Sequence, residues 1–255
     1  MRRNAAEVLE RLRDHVDLLE ESGAGFCLAG PRKPQAAGRA VPAGTKPAPP
    51  RPGAPAFRPA GGSGPHAPDD RDAAEIERQV RECRLCPLHR LRTLAVPGEG
   101  NWAADLMFIG EAPGRDEDEQ GRPFVGRAGQ LLRKIIAAMT FREEEVYITN
   151  VVKCRPPENR VPHRDEVEAC FPYLVRQIEL IRPKVIVTLG KTPTEHFVPG
   201  RAGMGELRGR FGDYQGIPVM PTFHPSYLIR NEGNRELRRM VWEDMQKVMS
   251  LLGRK

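Results

Sequence analysis

The chain has 255 residues, with 40 Lys and Arg against 34 Asp and Glu for a net charge of +6, and it contains 25 Pro, 25 Gly and 5 Cys. No apolar run approaches the ~20 residues of a membrane-spanning helix. The N-terminus lacks a signal-peptide core, and its acidic residues argue against a transit peptide. A soluble, cytoplasmic protein with no membrane partner is expected. In that compartment cysteines serve as thiols or metal ligands rather than as disulfides.

Residues 1–22 carry a net charge of −2 and place Val8, Leu12, Val16 and Leu19 at helical spacing ahead of Ser22-Gly23, which predicts a short amphipathic helix. Alone such a helix is marginal; it docks on the domain, docks on a protein partner, or frays. Residues 23–68 carry +6 with no acidic side chain, and Pro, Gly and Ala supply 31 of the 46 positions. That composition buries too little apolar surface to offset its ordering entropy, so a disordered basic linker is expected. The remaining 187 residues, 69–255, carry only +2. They suffice for one domain that buries roughly 70% of its unfolded surface.

Within that domain a charged helical stretch at 72–82 runs directly into Cys83-Arg84-Leu85-Cys86. Four apolar runs of strand length follow, Leu106 to Ile109, Val146 to Val152, Val185 to Leu189 and Ile217 to Met220, with helical patterns at 129–139, 165–181 and 233–252. Strand alternating with helix implies an α/β fold, a parallel sheet covered on both faces. Ligands of such sheets bind beyond the carboxyl ends of the strands. Those ends read Gly110-Glu111-Ala112-Pro113-Gly114, Asn150, Gly190-Lys191-Thr192 and His224-Pro225-Ser226.

Gly190-Lys191-Thr192 is not a phosphate loop, because that motif needs Gly at position 185, which is Val. The segment from Gly110 to Gly126 is Gly-rich and acidic, with Glu111 and Glu117 among its carboxylates and Phe124 offering a flat face. Carboxylates suit a cationic transition state, an activated water or a divalent ion rather than phosphate; the plainer alternative is a solvated acidic loop around a core Phe. Cys83, Cys86, Cys154 and Cys170 suit zinc or an iron-sulfur cluster, with buried free thiols as the alternative, and Cys27 in the linker is incidental. His224 is held by the fixed φ of the following Pro225. Arg155, Arg160, Arg230 and Arg235, with Lys153, give local density for phosphate contacts, or are ordinary surface charge in a chain where Arg supplies 32 of the 40 basic residues.

Three segments taken together, Gly110 through Leu132 (GEAPGRDEDEQGRPFVGRAGQLL), Thr149 through Pro157 (TNVVKCRPP) and His224 through Arg230 (HPSYLIR), closely resemble the family 4 uracil-DNA glycosylases of bacteria and archaea, the iron-sulfur type. The resemblance covers roughly residues 75 to 252. It implies a three-layer α/β/α sandwich around a mainly parallel four-stranded sheet, a [4Fe-4S] cluster on Cys83, Cys86, Cys154 and Cys170, and removal of uracil from single- or double-stranded DNA by a monomer. Phe124 would stack on the flipped base, Asn150 would read its edge, and His224 would donate to O2, with Gly110, Ala112 and Gly114 lining the pocket. Glu111 would position water or stabilise the cation, and Glu117 would support the loop. Arg155, Ser226 and Arg230 would face the DNA, with Tyr227, Leu228 and Ile229 filling the gap left by the base.

One related group traps DNA covalently through a His in a Lys-Arg-Arg-Ile-His type loop; nothing like it lies between Asn150 and Cys170, so turnover is expected. Two rival readings remain at this level: a glycosylase acting also on hypoxanthine or xanthine, and a non-catalytic iron-sulfur or nucleic-acid-binding module. The second leaves Phe124, Asn150 and His224 without a purpose.

Overall fold

The computed structural model describes residues 70–198 and 202–254. The expected N-terminal helix over 1–22, the linker over 23–68 and Cys27 lie outside the described residues.

Six strands form one sheet: β1 (Glu99–Gly100), β2 (Leu106–Gly110), β3 (Val146–Asn150), β4 (Val185–Leu189), β5 (Gly212–Tyr214) and β6 (Ile217–Thr222), in the order β1-β3-β2-β4-β6-β5. The four central strands are parallel, as the sequence pattern predicts. β1 and β5 add short antiparallel edges. They went unread because segments of two and three residues carry no periodicity. From β2 the chain moves outward to β3 and then crosses to β4 on the opposite flank. The order therefore reverses beside β2, and a ligand crevice belongs at its carboxyl end.

Eight α-helices are found among the described residues: α1 (Asp70–Glu82), α2 (Arg115–Gln120), α3 (Arg127–Ala138), α4 (Arg164–Ile181), α5 (Lys191–Phe197), α6 (Met204–Leu207), α7 (Pro225–Arg230) and α8 (Arg235–Leu251). Strand residues alternate between two layers of core. Leu106, Phe108, Val146, Ile148 and Val187 pack with Leu132 and Ile136 of α3 and Met245 and Val248 of α8. Met107, Ile109, Tyr147 and Ile186 pack on the other face with Leu174 and Ile178 of α4. Because both faces are covered, every residue of β2, β3 and β4 is buried, so these strands read as continuous apolar runs rather than as alternation. Each fully buried Leu, Ile or Phe contributes about 1.5–3 kcal/mol to this frame. No described helix is long and apolar enough to cross a membrane.

Two local features place the chemistry. The acidic stretch after β2 contains α2, whose first turn carries Asp116, Glu117 and Asp118 where the helix dipole favours negative charge. On the other side, α1 packs Ile76 and Val80 near Tyr173 and Leu180 of α4, which brings Cys83, just past its end, toward α4.

Candidate active site

Gly110 and Asn150 are register partners at the carboxyl ends of β2 and β3. A Cβ on Gly110 would lie 2.3 Å from Asn150 Oδ1 and 2.6 Å from Phe124 Cζ, so only glycine lets the amide and the ring close over the strand end. Asn150 is 2% exposed. Its Oδ1 is the one buried side-chain oxygen or nitrogen among the described residues with no hydrogen-bond partner. Leaving such an acceptor dry costs about 1–3 kcal/mol, so the fold sustains an expense that a ligand N–H would relieve.

Phe124 sits at φ 53°, left-handed backbone that a non-glycine residue adopts at a cost of about 1–2 kcal/mol. The strain is supported from below: a Cβ on Gly129 of α3 would stand 1.7 Å from the Phe124 carbonyl oxygen, so the loop and α3 are in direct backbone contact. The Phe124 ring lies 5.9 Å from the His224 imidazole, centroid to centroid, with the planes tilted by 32°.

His224 caps α7. Its Nδ1 accepts from the Ser226 backbone N–H at 3.1 Å and lies 2.8 Å from Ser226 Oγ. Since the backbone group can only donate, the ring proton of the neutral form is on Nε2. Burial pulls the imidazole pKa down to about 4, and the Arg230 guanidinium pushes it the same way. At neutral pH His224 is thus an uncharged Nε2–H donor.

The acidic residues separate into different tasks. Glu117 accepts from the backbone N–H groups of Gly114, Val125 and Gly126 at 2.9–3.0 Å, tying both ends of the loop to α2. A Cβ on Gly114 would lie 2.7 Å from Glu117 Oε2, so any side chain there would push the carboxylate off its backbone donors. Asp118 is buried and accepts from the Thr93 N–H at 3.0 Å. Glu111 is different: its carboxylate accepts from the Thr192 hydroxyl after β4. Ala112 packs on the α4 side of the core.

Cys83, Cys86, Cys154 and Cys170 line one cavity. All are unbridged, with Cys154 and Cys170 buried. Arg92 donates to Cys154 Sγ at 2.9 Å and the Lys153 backbone N–H to Cys170 Sγ at 3.2 Å. Burial pushes the Cys170 thiol up to about 12 and also raises Cys86 and Cys154. Metal coordination reverses that, since a coordinating thiol loses its proton. Among the described residues no three Cys, His, Asp or Glu side chains converge as around a single metal ion. The four cysteines line a common cavity and two of their sulfurs receive N–H donors, which suits thiolate ligands.

Residues 97–246 match the model of the uracil DNA glycosylase superfamily. The chain belongs to this superfamily. It is 50% identical over 179 residues to a type-4 uracil-DNA glycosylase of Thermotoga maritima, covering 69% of this chain and 93% of that one. It is 46% identical over 189 residues to a type-4 uracil-DNA glycosylase of Saccharolobus solfataricus, covering 71% and 86%. A type-5 uracil-DNA glycosylase of Thermus thermophilus is 30% identical over 224 residues, 72% of this chain and 99% of that one.

For this superfamily member the residues expected to face DNA divide. Ser226, Tyr227 and Arg230 lie on the outer side of α7: Arg230 is exposed with Nη1 3.4 Å from Ser226 Oγ, and Tyr227 is 39% exposed beside the Phe223 ring. Arg155 is held by Asn159 Oδ1 at 2.8 Å. Leu228 corrects the expectation. It is 3% exposed and packed in the core with α3 and α8, because the short helix turns that position inward.

Two basic residues read as phosphate contacts also serve otherwise. Lys153 is buried, its ammonium donating to Asn150 O and Gln177 Oε1, and burial pulls its pKa down to about 7. Arg160 is engaged by the buried Glu166 at 2.7 Å. Nothing in the sequence assigns a role to Thr192, in the turn that is not a phosphate loop, or to Arg92, since their partners lie 81 and 62 residues away.

Proposed function

We propose that this protein excises uracil from DNA, hydrolysing the N-glycosidic bond and leaving an abasic site. The observation that carries the reading is the unpaired Asn150 Oδ1 facing Gly110 and Phe124. A flipped uracil offers N3–H to that oxygen, and its O4 accepts from the Asn150 amide N–H; cytosine, with an acceptor at N3 and an amine at C4, meets both groups wrongly. Each mismatch costs about 1–3 kcal/mol in a dry pocket. Phe124 provides the stacking face. The type-4 names of the relatives at 50% and 46% identity point the same way.

As the glycosidic bond breaks, negative charge gathers on the uracil and positive charge on the sugar. His224, neutral with its proton on Nε2, donates to O2 and stabilises the departing anion without becoming charged itself. Glu111, held by Thr192, is the carboxylate left to stabilise the sugar cation or hold the attacking water. Glu117, saturated by backbone donors, keeps the loop in place. On the DNA side Tyr227 and Ile229 enter the gap left by the base, with Arg155, Ser226 and Arg230 near phosphates.

Cys83, Cys86, Cys154 and Cys170 would hold a [4Fe-4S] cluster, which ties the end of α1 to the segment after β3 and to α4 when bound. Excision itself is hydrolytic, and the residues that hold and read the base lie in the pocket.

The test is incubation of full-length protein with single-stranded and duplex oligonucleotides carrying one uracil, followed by alkaline cleavage. Strand breaks at the uracil position are expected; their absence on every substrate overturns the proposal. The same strands with hypoxanthine or xanthine report whether the pocket admits larger bases. Visible absorption with iron in the purified protein supports the cluster, and a colourless protein with stoichiometric zinc refutes it.

A further inference from the structure

Gly190-Lys191-Thr192 is a conspicuous turn that no phosphate chemistry explains. Strand order puts β4 between β2 and β6, so this turn emerges between Glu111, just past β2, and His224, two residues past β6. Its shape is secured on three sides. Gly190 has φ 93° and ψ −177°, a conformation open essentially to glycine alone. Its N–H donates to the Thr222 carbonyl of β6 at 2.9 Å. The buried Thr194 hydroxyl donates to the Gly190 carbonyl at 2.7 Å and lies 2.9 Å from Thr188 Oγ1.

From this frame two contacts reach the candidate site. A Cβ on Gly190 would come 3.1 Å from His224 Cβ, so the bare glycine leaves room for the imidazole stem. On the other side the Thr192 hydroxyl donates to Glu111. Glu117 takes three backbone donors, whereas among the described residues Thr192 alone donates to the Glu111 carboxylate and leaves its second oxygen open. That arrangement orients a carboxylate without saturating it.

We propose that Thr192 is a positioning residue, its hydroxyl setting the Glu111 carboxylate toward the sugar side of the pocket from the rigid Gly190–Thr194 turn. The inference rests on the reading that Glu111 acts in uracil release. It goes further by making a residue on a third strand end necessary for that action.

The experiment is single-turnover uracil release from a uracil-containing oligonucleotide by the full-length protein and its variants T192V, T192A, T192S, E111Q and T192V/E111Q. Loss of a hydrogen bond to a charged group predicts about 10- to 100-fold slower release for T192V and T192A alike, with the half-saturating enzyme concentration unchanged. T192S keeps the hydroxyl and should stay within about threefold of wild type. Because Thr192 acts through Glu111, the double variant should be no slower than E111Q. Wild-type rates in T192V and T192A beside a slow E111Q would overturn the positioning role and leave the excision reading intact. Equal losses in T192S and T192V would also overturn it, since bulk rather than the hydroxyl would then matter. A wild-type rate in E111Q would remove the Glu111 role and this inference with it.

Discussion

Thr149 and Asn150 are consecutive, both buried, and treated in opposite ways. Thr149 points into a network in which every polar atom has a partner: its hydroxyl donates to the Pro97 carbonyl at 2.9 Å and accepts from Lys153 Nζ, while Gln177 binds Lys153, Pro97 and Tyr147. Asn150 points to the other face of the sheet with its carbonyl oxygen unpaired, beside a ring on strained backbone. The network rigidifies the end of β3, and Lys153 even holds the Asn150 main-chain carbonyl. A satisfied buried network is structural, and an unsatisfied one a residue away marks where a ligand completes the hydrogen bonding.

The comparison breaks most visibly in activity. His224→Ala should slow uracil release about 10²–10³-fold, the loss seen when a donor to a developing anion is removed. Asn150→Asp should be comparably slow, because the carboxylate still accepts N3–H but replaces the amide donor to O4 with a charged acceptor. Both should stay folded, since neither takes a donor or acceptor from the Thr149 network, with His224→Ala losing about 1 kcal/mol for the cap on α7. Wild-type turnover in both variants would end the pocket reading. Phe124→Ala comes next, at about 10- to 100-fold in the same assay from lost stacking of about 1–3 kcal/mol.

On the network side the effect moves from activity to stability. Lys153→Met takes a donor from Thr149 Oγ1, Asn150 O and Gln177 Oε1 and should lower stability by about 1–3 kcal/mol, read as a drop in thermal midpoint. An unchanged midpoint would contradict the division between the two sides of β3.

A pH effect of similar size belongs to His224. Its folded pKa of about 4 lies below the ordinary 6.5, so the unfolded chain binds the proton first and folding loses stability as pH falls from about 6.5 to 4. The full span is worth up to about 3 kcal/mol. Wild type should therefore lose thermal midpoint relative to His224→Asn over that range, and parallel curves would refute the burial of a neutral imidazole. The smallest expected effect is in DNA affinity. Deleting residues 1–68 removes the +6 segment and should make the salt dependence of binding shallower while excision continues.

Much of this molecule is legible in its sequence. Apolar runs bounded by Gly, Asn and His give the four parallel strands, because a sheet buried on both faces needs unbroken hydrophobicity. The motifs at their carboxyl ends carry Gly110, Phe124, Asn150 and His224, residues that the fold brings near one another. Leu228 was misread because one turn of helix can present a side chain to DNA or to the core, and only packing against α3 and α8 chooses. Lys153 was misread for the same reason: its charge suggests phosphate, but its position just past β3 directs it inward to Gln177.

The amino-acid order alone thus determined the four central strands and the long helices between them, the displacement of positive charge away from the domain, and the residue types at each strand end. Periodicity, turn chemistry and composition are local and survive without a fold. The division of labour between Glu111 and Glu117, the tautomer of His224, the unpaired oxygen of Asn150 and the reach of Thr192 across 81 residues arose only on folding. Each depends on which strand ends lie side by side, and in a sheet ordered β3-β2-β4-β6 neighbours in space are distant in sequence.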